Sequence, residues 1–92
     1  KARLPLPIAQ FEICDGPSFV ARVDFAYPDA KLAIEVDGYE VHGQKSTWDS
    51  DQDKRARLVS LGWRVMPITD EQIRQRPAAI VARVRRALDI PT

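Results

Sequence analysis

Cysteine is almost missing from this chain. Cys14 stands alone, so no internal disulfide can form, and no Cys-based structural zinc site is expected. That usage fits the reducing cytoplasm. Long apolar runs are missing as well. A stretch such as Leu32-Ala33-Ile34 falls far short of the roughly 20 residues that cross a bilayer. Lys1-Ala2-Arg3 followed by Leu4-Pro5-Leu6-Pro7 lacks the continuous apolar core of a secretory signal, so nothing reads as an export address or a membrane span. Histidine occurs once, at His42, and the formal net charge of +1 carries no signal by itself.

What is present is one domain's worth of chain. Ninety-two residues, 45% of them apolar, suit a single domain over 1–92 with one core and no room for a second. The charges are unevenly spread. Residues 1–53 carry five Lys/Arg and ten Asp/Glu, net −5, whereas residues 54–92 carry nine against three, net +6. An acidic half gathers cations and a basic half gathers phosphates. Charge alone fits two ordinary solvated faces at least as well.

Extended backbone is expected from Ile8 to Cys14, then a turn over Asp15-Gly16-Pro17-Ser18 and a second strand from Phe19 to Tyr27. Pro28-Asp29 suits a two-residue turn, with a third strand from Ala30 to Val36. Residues 38–47 contain two glycines and no sustained period, and read as a loop. Ser46 or Thr47 can cap a helix from Trp48 to about Leu61, with Asp49 and Asp51 near its positive end and Gly62 just past its other end. Trp63 to Ile68 is a short strand whose arrival after a helix predicts parallel pairing, with Pro67 favouring an edge. Thr69-Asp70-Glu71-Gln72 matches a capping box, and Pro77 opens a last helix through about Leu88. There Ile80, Val81, Val84 and Leu88 form one stripe, with Arg83, Arg85 and Arg86 off it. The order is βββαβαα, an α/β class of three antiparallel strands, a helix, a further strand and C-terminal helices.

Side chains two apart on a strand share a face, so Leu32, Ile34 and Val36 point one way and Lys31, Ala33, Glu35 and Asp37 the other. The first face is expected to be core and the second polar. A two-residue loop at Pro28-Asp29 sets Val23 opposite Ile34 and Asp24 opposite Ala33. Asp24 then shares the face of Glu35, diagonally, with Cβ atoms about 7 Å apart. Mg²⁺ takes one or two carboxylates plus water and substrate phosphate, so Asp24, Glu35 and Asp37 are candidate ligands, and the Val36 carbonyl can add an oxygen. Lys31 and Arg22 on the same face allow the other reading, a solvated face with cross-strand ion pairs. His42 lies five residues past Asp37 in the loop and titrates near neutral pH. Asp49, Asp53 and Arg57 recur every four residues along one helical stripe, which is ordinary surface chemistry.

Arg22-Val23-Asp24-Phe25-Ala26-Tyr27-Pro28, then Glu35-Val36-Asp37-Gly38 with His42, then Asp53-Lys54-Arg55 and Leu61-Gly62-Trp63-Arg64-Val65 form an ordered set from Leu4 to Leu88. The set resembles the PD-(D/E)xK nuclease superfamily, and more narrowly the bacterial domains of unknown function allied to very-short-patch mismatch repair endonucleases. The resemblance implies a restriction-endonuclease-like core, Asp24 as the motif aspartate, Glu35 as the second acidic ligand and Mg²⁺ as cofactor. It makes His42 and Asp53 members of the site and Trp63 structural. Val23 stands where the motif has proline. Asp37 stands where it has lysine; a carboxylate binds metal but cannot replace an ammonium, which leaves His42 or Lys31 as the candidates for that polar role. Relatives carry an N-terminal helix before the first strand, so the chain reads as a piece of a longer protein.

The expectation is a metal-dependent endonuclease that hydrolyses DNA phosphodiester bonds with water activated by Mg²⁺, or by Mn²⁺ in its place, on Asp24, Glu35 and Asp37. His42 and Asp53 complete the catalytic set, and Arg55, Arg57 and Arg64 contact phosphates. Two alternatives stand beside it. One is a nuclease-fold DNA-binding or regulatory module that has lost turnover; the other is a protein-interaction domain of a toxin–antitoxin or phage-defence protein.

Overall fold

The computed structural model describes residues 4–37 and 45–89, without the side chains of Asp37 and of residues 45–51. Strand β1 runs Ile8–Asp15 and β2 Ser18–Tyr27, followed by a 3-10 turn at Pro28–Ala30 and β3 at Leu32–Asp37. Helix α1 spans Lys45–Ser60, β4 Arg64–Thr69, α2 Asp70–Gln75 and α3 Pro77–Ala87. The strands form one sheet in the order β1-β2-β3-β4, with β3 and β4 parallel and the other pairs antiparallel. The fold is thus mixed α/β, in the expected element order, and β4 with its Pro67 lies at an edge. Among the described residues no helix is long and apolar enough to cross a membrane.

Turn chemistry fixes the first hairpin. Asp15 pairs with Ser18, leaving Gly16-Pro17 as a two-residue loop with Gly16 at φ 60. Proline cannot follow it into positive φ, so the pair has the pattern of a type II′ turn, which suits the twist of a hairpin.

The second hairpin departs from expectation. Pro28 starts a 3-10 turn rather than a two-residue loop, and Lys31 closes it in the left-handed region (φ 51), its N–H donating to Pro28 O at 3.0 Å. Ala30 and Lys31 are consumed by the turn, so β3 begins at Leu32 and Tyr27 pairs with Leu32, Ala26 with Ala33 and Phe25 with Ile34. The register is displaced by two residues from the expected one. A shift of two preserves side-chain parity. Lys31 accordingly leaves the strand face, and its Nζ donates to Leu61 O at 3.2 Å.

Helix α1 contains Lys45, Ser46 and Thr47, which were expected in the preceding loop, so its cap falls outside the described residues. Its other end is a Schellman motif. Trp63 N–H donates to Leu58 O and Gly62 N–H to Val59 O, both at 2.9 Å, and Gly62 sits at φ 89, where a side chain would be strained. Thr69 and Gln72 make the reciprocal capping box of α2.

Both faces of the sheet are covered, which corrects the expectation of one polar face. Tyr27, Leu32, Ile34 and Ile68 pack with Val84 of α3, joined by Ile80 and Leu88. On the other side Ala26, Ala33 and Val23 pack with Leu58 of α1 and with Trp63, whose ring meets Phe11 at 6.0 Å. The physical reason is the crossover itself: joining parallel β3 to β4 through a helix lays that helix on the sheet.

Candidate metal and phosphate site

Glu35 belongs to the face beneath α1, where Lys54 and Arg55 of that helix reach it, and Asp24 meets the same end of β3 through the backbone of Val36. Continuing the observed register from Phe25–Ile34 sets Asp24 directly across from Glu35 rather than diagonal to it. The regular ladder stops there. In its place the Val36 backbone N–H donates to Asp24 Oδ2 at 2.7 Å, so a carboxylate occupies the position of a strand carbonyl. On the other side of Asp24, β1 is interrupted too. Ala9 pairs with Phe25 and Phe11 with Val23, but Gln10 between them lies at φ 53. A non-glycine residue there costs on the order of 1 kcal/mol, and such strain gathers where backbone shape serves a site.

Glu35 is buried, at 9% exposure, and is the one buried charged residue among the described residues. An isolated carboxylate in that position would be strongly disfavoured. Two cations from α1 offset the burial: Lys54 Nζ lies 3.1 Å from Oε2 and Arg55 Nη2 3.8 Å from Oε1. The first is a close ion pair and the second a looser one.

The sequence does not single out Lys54; the packing of α1 does. Leu58 is fully buried against the sheet, and Lys54 precedes it by four residues, which puts both on the inward side of α1. The stripe of Asp53 and Arg57 is one residue out of phase, about 100° around the helix, and both are exposed. Arg55 turns to Glu35. Arg64 is exposed and its guanidinium donates to Ala30 O at 3.3 Å. The backbone of Asp37 pairs with Thr69 at the end of β3, while its side chain lies outside the description. His42 lies outside the described residues altogether.

The donor set fits a hard divalent cation in number. Asp24 and Glu35 supply two carboxylates, and Mg²⁺ needs no more from protein when water and phosphate complete its shell. Among the described residues no group of three His, Cys, Asp or Glu side chains comes together. The neighbouring ammonium and guanidinium suit a phosphate oxygen, so the arrangement can hold a cation and an anion side by side.

A family model described as REase_MTES_1575 matches residues 16–88, a span that includes β2, β3, α1 and both acids. Two curated proteins of Mycobacterium tuberculosis are similar: uncharacterized protein MT2308 of strain CDC 1551 / Oshkosh and uncharacterized protein Rv2248 of strain ATCC 25618 / H37Rv. Each is 38% identical over 86 residues, covering 94% of this chain and 32% of the relative. The chain thus spans about a third of the length of these relatives. No solved structure matches it.

Proposed function

Since the chain belongs to the REase_MTES_1575 family, which is restriction endonuclease-like, we propose that it is a metal-dependent endonuclease hydrolysing DNA phosphodiester bonds. The reading extends to a restriction-endonuclease topology of the PD-(D/E)xK kind, allied to very-short-patch repair endonucleases, in a single nuclease domain of a longer cytoplasmic protein. One observation carries it. Where the β2–β3 ladder ends, the Asp24 carboxylate accepts the N–H of Val36, the residue after Glu35, and Glu35 itself is flanked by cations.

In this reading Asp24 and Glu35 hold Mg²⁺ or Mn²⁺, with Asp37 adjoining at the end of β3. A bound divalent ion supplies Lewis acidity and a more acidic water. The Val36 N–H keeps the Asp24 carboxylate aimed across the strands, so its orientation is set before any ligand arrives. Arg57 and Arg64, exposed on the basic half of the chain, contact backbone phosphates, and Arg55 does so beside Glu35. His42 and Asp53 orient the phosphate or move a proton.

The test is nicking of supercoiled plasmid in Mg²⁺ or Mn²⁺, with Asp24→Ala beside the unmodified chain. The expected result is loss of nicking in the variant by at least about 100-fold. Equal activity in the two would sink the reading. A second reading has one observation in its favour, the occupation of both Glu35 oxygens by protein cations. That is what a nuclease-fold DNA-binding module without turnover would have, and it predicts salt-dependent DNA binding with no nicking in either metal.

A further inference from the structure

The two acids are held by partners of different kinds. Asp24 takes the Val36 N–H, a backbone donor that cannot move away without breaking β3. Glu35 takes Lys54, whose ammonium sits at the end of a flexible four-carbon stem. The turn of α1 that carries Lys54 is pinned to the sheet by Leu58, fully buried one turn later. The helix is therefore fixed while the tip of the side chain is free to swing. Lys54 is 30% exposed in its present position, so its ammonium reaches solvent without rearranging the core. Arg55 is less suited to the same task, since it is 3.8 Å from a single oxygen and makes no bidentate pair. The strand brings no cation of its own, because the next residue of Glu35's parity on β3 is Asp37.

We propose that Lys54 is a catalytic residue of the phosphodiester hydrolysis assigned above. Its ammonium pairs with Glu35 at 3.1 Å; with a divalent ion held by Glu35, the ammonium would turn instead to a non-bridging oxygen of the scissile phosphate. There it donates an N–H without giving up a proton, and it neutralises the negative charge that grows as water adds to phosphorus. Water supplies the hydroxyl to one product and the proton to the other, so Lys54 is unchanged at the end. The proposal rests on Asp24 and Glu35 being the metal-binding pair.

Two roles on one side chain predict opposite signs in two measurements. As a resting partner of Glu35, Lys54 competes with the metal; as a phosphate contact, it promotes cleavage. In Lys54→Ala, Mn²⁺ measured by calorimetry without DNA should bind roughly fivefold more tightly. Plasmid nicking at saturating Mn²⁺ should fall on the order of 100-fold. Lys54→Arg should recover part of the nicking, and Arg86→Ala, the same change of charge on α3, should alter neither reading. Thermal melts confirm that each variant is folded.

Nicking by Lys54→Ala at the unmodified rate overturns the proposal and leaves the nuclease reading intact. So does a joint fall of Mn²⁺ affinity and nicking, which marks a structural role. Absence of nicking by the unmodified chain removes the nuclease reading and this proposal together, and the unmodified control separates that outcome from the others.

Discussion

The two faces of the sheet are built from alternate residues of the same strand and do different work. From β3, Leu32 and Ile34 enter the cluster closed by Ile80 and Val84 of α3 and by Leu88 just past its end, a cluster made of apolar residues and Tyr27. Ala33 and Glu35 of the same strand lie beneath α1, where the alanine pair Ala26–Ala33 leaves room for Leu58 and Trp63, and the acid follows. Packing on the α3 face is a matter of volume. On the α1 face it gives way, within one residue of alternation, to charge held by specific partners. Six residues of strand thus hold the fold together with one parity and carry a buried, paired charge on the other.

That division is open to attack from either side. The largest effect is expected on the apolar face: Leu32→Ala, at 1% exposure, should destabilise the chain by about 3 kcal/mol in denaturant unfolding, while the folded fraction keeps its Mn²⁺ affinity. Glu35→Gln should do the reverse, abolishing the heat of Mn²⁺ binding while shifting stability by about 1 kcal/mol or less. Its partners Lys54 and Arg55 are exposed enough to be rehydrated, which limits the cost of breaking the pair. If Glu35→Gln unfolds the chain as Leu32→Ala does, the two faces are not separable in this way.

The smallest effect concerns Tyr27, which packs on the α3 face and donates its hydroxyl to Pro5 O at 3.0 Å. Burial pushes its phenol up from the ordinary value of 10.0. The folded chain therefore keeps a proton that the unfolded chain releases, and the associated stability is complete below 10.0 and lost as pH rises through the folded value. Tyr27→Phe should cost roughly 1 kcal/mol near neutral pH and flatten the alkaline limb of a stability-versus-pH curve. An unchanged alkaline slope in the variant would assign that limb to other groups.

Much of this architecture was legible residue by residue. Gly16-Pro17 and Gly62 mark a turn and a helix end because positive φ is accessible to glycine and strained for others, a local matter. The Thr69–Gln72 box marks a helix start for a similarly local reason. The register of β2 on β3 was not legible. Pro28 is compatible with a two-residue turn and with a 3-10 turn alike, and the choice rests on Lys31 adopting a left-handed conformation that its residue type does not announce. Lys54 carries no mark in the sequence, because charges on α1 recur on more than one stripe and the burial of Leu58 is what tells which of them faces the sheet.

The order of the elements, the capping box and the glycine-marked turns follow from the amino-acid sequence alone, because each depends on residues close together in the chain. That the β2–β3 register lies two residues from the simplest turn, that Asp24 accepts the Val36 N–H and that Lys54 reaches Glu35 came from the folded chain. Those facts depend on how one turn closes and on the angle at which one helix lies against the sheet, and both are set by contacts between residues far apart in the chain.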